Sequence, residues 1–267
     1  VTGVTEGKPT VVIPDTNGEV SGNNSVAENA TLMGRTFTVD APDGLVSVTV
    51  GETVLTAADL AALTPETPVT ITTTEGVLTL TGYDVATGNV TYNYDPAGDS
   101  KDHTAGDDSV MDSITIVVTD TATKTAEGTL NILITDTVPV AVADTRTVTE
   151  DDTNITGNVM GNDTINVDGP VTVVAVVAGA AIDENLTTGV ATVISGAYGD
   201  LTIDANGNYS YTTNAAAQAL NEGESVTDVF SYVIKDSDGD TSATTVTMTV
   251  TGVTEGKPTV VIPDTNG

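Results

Sequence analysis

The sequence predicts an all-β chain of two β-sandwich domains in tandem, and three observations carry that reading. Valine and threonine dominate, and apolar and polar residues alternate in short runs broken by Gly, Asn and Asp, the period of half-buried strands. The two halves of the chain can be laid over each other at equally spaced anchors. The last eighteen residues, Val250 to Gly267, repeat the first eighteen, Val1 to Gly18, letter for letter.

That last match makes the chain read as one period of 249 residues plus an overlap, taken from an array of near-identical units. Arrays serve length or multiplicity, which weighs against an enzyme. Within the period, strands are predicted at Leu45 to Val50, Val69 to Thr73, Val77 to Thr81, Ser113 to Thr119 and Thr129 to Thr135. In the second half they are predicted at Val171 to Val177, Asp200 to Ile203, Val229 to Lys235 and Thr244 to Val250. Asn206-Gly207 between two alternating runs is a hairpin signal. Two pieces read as helical: Thr56 is placed to cap Ala57 to Leu63, and Asn214 to cap Ala215 to Leu220, with Gly223 just beyond.

The internal duplication sets the domain count. Asp112 to Asp120 (DSITIVVTD) lies over Asp228 to Asp236 (DVFSYVIKD), and Leu130, Ile132 and Ile134 lie over Val246, Met248 and Val250. Gly88 to Tyr92 lies over Gly207 to Tyr211, and Glu28 over Glu150. Proline at 139 interrupts the ladder pattern, placing the joint near Thr137 to Pro139. The expected division is 1–18 as the end of a previous repeat and linker, 19–138 and 139–252 as the two domains, and 253–267 as the start of the next repeat. Each half has the size and strand rhythm of a seven-stranded immunoglobulin-like sandwich. With seven tyrosines and two phenylalanines, the cores must rest mainly on Val, Ile and Leu.

Thirty-eight acidic residues against seven basic ones give a formal charge of -31, which makes nucleic acid and anionic membrane surfaces poor partners and cations the expected ligands. No cysteine is present, so neither a disulfide nor a thiolate metal site is available. No apolar run is long enough for a membrane span. No nucleophile elbow, phosphate-cradling loop or HExxH motif is found, so a secreted hydrolase ranks last among the readings.

Thr147 to Asp163 (TVTEDDTNITGNVMGND), Gly199 to Tyr211 (GDLTIDANGNYSY) and Ser225 to Gly252 resemble a VCBS or cadherin-like bacterial repeat. Gly76 to Tyr94 (GVLTLTGYDVATGNVTYNY), Asp102 to Asp120 and Gly128 to Pro139 resemble the repeat domain of type I secretion targets. Such modules occur together in giant RTX adhesins. The resemblance implies two tandem immunoglobulin-like (cadherin-like) sandwiches forming an extender of a secreted or surface-anchored biofilm adhesin. It also implies calcium as the ligand and neighbouring repeats of the same monomeric chain as the partners. The calcium-roll nonapeptides of RTX proteins are absent, so metal would be held by loops and linkers.

Calcium takes roughly six to eight oxygens in flexible geometry. Asp236, Asp238 and Asp240 stand at alternate positions around Gly239 in the loop between the last two strands. Asp136, Asp144 and Glu28 are expected to join them at the junction between domains. Glu150 and Asp151, with Asp152, are expected to pair with Glu255 and Asp264 of the overlap. The equivalent loop of the first half, Asp120 to Lys124, has lysine in place of Asp240 and is expected to bind metal poorly; Lys124 is placed to reach linker carboxylates such as Asp15, although an exposed lysine that contributes nothing is the commoner outcome. The Asp99 to Asp112 loop holds the single histidine, His103, among five aspartates, a pattern more common in exposed turns than in metal or general-base sites. The competing function is a glycan- or surface-binding module gripped by tyrosines and acidic loops, with Tyr92 and Tyr94, like Tyr209 and Tyr211, as stacking platforms and Tyr83→Ala or Tyr92→Ala as its test. Half-buried packing is the commoner fate of tyrosines paired at strand spacing.

Overall fold

The structure is a computed structural model, and it describes residues 7–18, 22–96, 101, 109–166 and 168–254. Asp99, Asp102, His103, Asp107 and Asp108 of the acidic loop, and Glu255 and Asp264 of the overlap, lie outside the described residues. The chain separates into two compact units: Val1–Thr137 with Asn166–Gly169, and Val138–Ile165 with Pro170–Gly267.

Unit 1 contains two five-stranded sheets. One runs β1 (Thr10–Val12), β3 (Leu32–Asp40), β8 (Asn89–Asp95), β7 (Val77–Asp84), β6 (Val69–Thr72). The other runs β2 (Asn24–Ala27), β10 (Thr125–Thr135), β9 (Ser109–Asp120), β4 (Leu45–Val50), β5 (Thr53–Thr56). Inward residues of both sheets, among them Phe37, Leu78, Leu80 and Val90 on one and Val48, Ile116, Leu130 and Ile132 on the other, form a single core cluster. Each such side chain contributes about 1.5–3 kcal/mol by leaving water. Between β5 and β6 the chain makes α1 (Ala57–Ala61), shorter than the predicted Ala57 to Leu63. It opens on the predicted cap: the Thr56 hydroxyl accepts from the Asp59 N–H, and the Asp59 carboxylate accepts from the Thr56 N–H.

Unit 2 contains two four-stranded sheets, β11 (Asp144–Thr149), β18 (Thr241–Thr251), β17 (Ser225–Lys235), β13 (Thr172–Ala178) and β12 (Ile155–Asn158), β16 (Asn208–Thr213), β15 (Gly199–Ile203), β14 (Ile194–Ser195). Asn206-Gly207 turns β15 into β16 with Gly207 at φ 79°. The second predicted helix is only a 3-10 turn at Ala217–Ala219. Its N-cap is Ala216, which makes no side-chain cap bond; the Asn214 side chain accepts from the N–H groups of Ala216 and Ala217 in the turn before it, and an Ala-rich run this short gains too few hydrogen bonds to propagate.

Among the described residues both units therefore exceed the seven strands expected, with ten and eight. Short edge strands such as β1, β2, β12 and β14 carry too few residues to display an alternating pattern in the sequence. The units close in the same way. In each unit one strand runs parallel to the closing strand, β2 on β10 and β11 on β18, whereas the other pairs among the described residues are antiparallel.

Buried polar bonds also repeat, and they correct the sequence overlay. The Tyr94 hydroxyl donates to Asp112 Oδ2 at 2.6 Å, and the Tyr211 hydroxyl donates to Asp228 Oδ2 at 2.7 Å. The equivalent of Tyr211 is thus Tyr94, not Tyr92. Tyr94 stands six residues beyond the turn glycine Gly88 and Tyr211 four beyond Gly207, an even difference that keeps both rings on the inward face. Gly76 and Gly199 make room for these rings: a Cβ would sit 2.6 Å from the Tyr94 hydroxyl in one case and 2.3 Å from Tyr211 Cζ in the other.

Candidate metal centres

The parallel closure of unit 1 fixes its candidate centre. Glu28 directly follows β2, and its N–H donates to the Thr135 carbonyl at 3.0 Å, continuing the ladder. Its side chain is only 4% exposed, and Oε1 accepts from the Thr137 N–H at 2.9 Å and the Thr137 hydroxyl at 2.6 Å. Asp136 and the fully buried Asp168 bring their carboxylates to the same place, with one oxygen from each of the three residues within 4.8 Å of the others. Asn166 anchors the segment carrying Asp168, since its side-chain amide donates to the Thr137 carbonyl.

Burial pushes the Glu28 carboxyl up. The Thr137 hydroxyl, contact with Asp168 and the N–H groups of Thr137 and Lys101 outweigh it, so the net shift is down and Glu28 stays ionised. Three carboxylates this close repel one another unless a cation or a proton intervenes. The donors are hard oxygens, a set that suits calcium and offers nothing to softer metals.

Unit 2 repeats part of this arrangement. The Glu150 N–H donates to the Thr251 carbonyl at 3.0 Å, and its fully buried carboxylate accepts at Oε1 from the Val253 N–H at 2.7 Å. Glu150 Oε2 is buried with no hydrogen-bond partner. Asp151 is exposed, and Asp152 is used locally, accepting from the Thr149 N–H at 2.6 Å.

The two hairpin loops proposed from sequence share a frame. Asp120 Oδ1 accepts from the N–H groups of Ala122 (2.9 Å) and Lys124 (2.8 Å), and Asp236 Oδ1 accepts from those of Gly239 (3.1 Å) and Asp240 (2.7 Å). The first aspartate of each loop therefore commits one oxygen to holding the turn. In the second loop, burial, the adjacent Asp236 carboxylate and the charge of Asp240 push the Asp238 carboxyl up to about 6. A cation beside Asp238 would reverse that shift.

Other predicted groups lie elsewhere. Asp144 opens β11, where its carboxylate stands 3.0 Å from the Tyr232 hydroxyl; Asp163 lies 3.3 Å from the same oxygen, with the carbonyls of Val142 and Val159 also in reach. One phenolic proton cannot serve all these acceptors. Burial first, then the charge of Asp163, raises the Asp144 carboxyl to about 6, against the bond from Tyr232. Asp15 accepts from the Asn17 N–H in an exposed turn, and Lys124 does not reach it: its ammonium lies 3.7 Å from Asp43 and 3.5 Å from the Gly7 carbonyl.

The sequence reading overlooked Asp168, although Asp168-Gly169-Pro170 is a turn signal with a carboxylate in it. It also offered Tyr92 as a stacking platform. Tyr92, Tyr94 and Tyr211 are all 0% exposed, and burial raises the Tyr92 hydroxyl to about 12, so packing is their role.

Residues 136–252 match the bacterial cadherin-like domain family. No curated relative matches the chain. Among solved structures, mouse clustered protocadherin PcdhgC3 EC1-3 is similar at 13% identity and a TM-score of 0.28, over 85% of this chain and 64% of that one. The protocadherin Gamma C5 EC1-3 structure is similar at 11% identity and a TM-score of 0.30, over 91% and 68%. A Bacteroides ovatus glucan-utilisation protein, SGBP-B, solved with a mixed-linkage heptasaccharide, is similar at 14% identity and a TM-score of 0.25, over 91% and 47%. Residues 136–252 are thus similar to a bacterial cadherin-like domain, and the described residues form a nearly all-β chain of two sandwich units.

Proposed function

We propose that the chain is an extender segment of a secreted bacterial biofilm adhesin, exported by a type I system, whose repeated sandwiches hold a distal adhesive domain away from the cell and are stiffened by calcium. The observation that carries this reading is the Glu28, Asp136 and Asp168 cluster. Asn166–Gly169 belong to unit 1, although the chain on both sides of them belongs to unit 2. A cation held by these three carboxylates ties that stretch to unit 1, and so makes a short tether out of a loop. Glu150, with its unpartnered Oε2, offers the start of a similar centre at the corresponding position of unit 2, and Asp236, Asp238 and Asp240 gather carboxylates separately at the other end of β18.

Calcium would contribute charge neutralisation alone. The chain's own residues set its place: Thr137 orients Glu28, Asn166 fixes the segment carrying Asp168, and Asp236 holds its loop ready. With a charge of -31, the chain repels its own neighbours in dilute monovalent salt and becomes compatible with close repetition when divalent ions bind. Calorimetric titration with calcium should show saturable binding, a higher melting temperature and a longer, narrower particle by solution scattering, all reversed by EGTA. Asp168→Ala should remove the binding step. A chain whose scattering and melting ignore calcium would end this reading.

A further inference from the structure

The opening strand of unit 1 sits in a seat built for it. β1 pairs antiparallel with the edge of β3, Thr10 opposite Asp40, Val11 opposite Val39 and Val12 opposite Thr38. Val11 and Ile13 pack on the core cluster over Gly128, where a Cβ would lie 2.9 Å from Val11 Cγ1, so the glycine leaves the space these side chains fill. Gly7 fits against Pro42 in the same way, with a Cβ there 2.5 Å from the proline ring. Yet the strand holding this place is only three residues long, with one sheet neighbour. Few hydrogen bonds need to break for it to leave.

The chain carries the same strand twice. Gly256 to Gly267 has the sequence of Gly7 to Gly18, so Val260 and Ile262 correspond to Val11 and Ile13, and Gly256 to Gly7. That second copy lies outside the described residues. Any seat that accepts the first copy offers the second the same side-chain contacts and the same ladder, and only the tether differs. We propose that the β3 edge of one molecule accepts residues 259–261 of a second copy of this chain in place of its own β1, so that chains lend strands to one another and associate. The inference is independent of calcium, and its tests run equally in EGTA.

The chain has no cysteine, so single substitutions report cleanly. Thr38→Cys in one preparation and Val261→Cys in another, mixed and mildly oxidised, should give a disulfide between positions 38 and 261 in preference to 38–38 or 261–261, as read by mass spectrometry. In the otherwise unchanged full chain, Val260→Asp with Ile262→Asp should lower concentration-dependent association in sedimentation at least tenfold, and neither position lies in the core of a described unit. A synthetic peptide of residues 256–267 should bind a Val11→Asp, Ile13→Asp chain and raise its melting temperature, while a scrambled peptide should not. Random disulfide partners, or association indifferent to the substitutions at 260 and 262, would overturn the proposal.

Discussion

Asp112 and Asp228 occupy the same place in the two units, each buried and each accepting from a core tyrosine, yet their surroundings satisfy them unequally. Asp228 takes the N–H of Ala197 at 2.7 Å and that of Tyr198 at 2.9 Å besides the Tyr211 hydroxyl. Asp112 takes the Tyr94 hydroxyl and only a distant N–H, Glu75 at 3.4 Å, leaving Oδ1 with no hydrogen-bond partner. The same aspartate thus organises backbone in unit 2 and chiefly receives a side chain in unit 1. Duplication preserved the residue and the tyrosine, and the neighbouring loop decided what the carboxylate does.

Substitution should separate the two roles, with opposite rank at the two members of the pair. Asp228→Ala strands buried backbone donors and should destabilise unit 2 by more than about 3 kcal/mol, whereas Asp112→Ala orphans one hydroxyl and should cost about 1–2 kcal/mol. Removing the hydroxyl instead should invert the order. Tyr94→Phe leaves a buried carboxylate with almost no donor and should cost about 2–3 kcal/mol, and Tyr211→Phe about 1 kcal/mol. Amide exchange of each unit in the intact chain reads both. Equal effects within each pair would mean the twin aspartates do the same work.

Gly76 and Gly199 test whether the tyrosines need their close approach. Alanine at either position meets backbone as well as ring, with the Asp95 carbonyl 2.4 Å from a Cβ at 76 and the Thr212 carbonyl 2.7 Å from one at 199. Each change should cost about 1–3 kcal/mol through overpacking, visible as a lower melting temperature. Unchanged melting at both would show that the strands part easily there.

A second divergence lies four residues further along the same strands, where unit 1 has Ile116 and unit 2 has Tyr232, both fully buried. The isoleucine adds to an apolar core, while the tyrosine collects Asp144 and Asp163. Asp144 titrates near 6 when folded, against an ordinary value of 3.8, and Asp163 is also raised, chiefly by burial. The folded state then holds protons that the unfolded chain has released, so this cluster adds stability as pH falls through about 6 and loses it as pH rises. Glu28, Asp59, Asp84, Asp204 and Glu224 are shifted down and act in the opposite sense, losing their contribution as pH falls below their ordinary range. In EGTA the chain should melt highest near pH 5 and lower at pH 7.5. Asp144→Asn should flatten that upper limb, and a limb unchanged by the substitution would detach it from this cluster.

The sequence made the long strands legible because β9, β10, β17 and β18 alternate over eleven or twelve residues with a buried face. It made Glu28, Asp136 and the Asp236 loop visible because acidic residues at strand ends are easily noticed. The edge strands β1, β2, β12 and β14 escaped, since two to four residues hardly display a period, although the equally short β6 lies within the predicted Val69 to Thr73. Asp168 escaped for a different reason: its importance comes from a tertiary placement, a loop of the second half folding with the first unit. The tyrosine overlay missed by two residues because it aligned the turn glycines, whereas the unit 1 hairpin is longer and pairs Tyr94 with Leu78 where unit 2 pairs Tyr211 with Leu201.

The smallest effect tests the loops that look most different in sequence. Asp120-Thr-Ala-Thr-Lys124 and Asp236-Ser-Asp-Gly-Asp240 differ by lysine against aspartate at the last position, yet one oxygen of the first aspartate ties both turns, through the N–H groups of Ala122 and Lys124 in one and of Gly239 and Asp240 in the other. Lys124 lies 3.7 Å from Asp43 with its side chain 35% exposed, so the pair is screened, and Lys124→Ala should cost only about 0.2–1 kcal/mol. Because its ammonium also reaches the Gly7 carbonyl, that small loss should appear as faster amide exchange along β1, sparing β9 and β10. Faster exchange throughout β9 and β10 would mean instead that the lysine, and not Asp120, holds the turn.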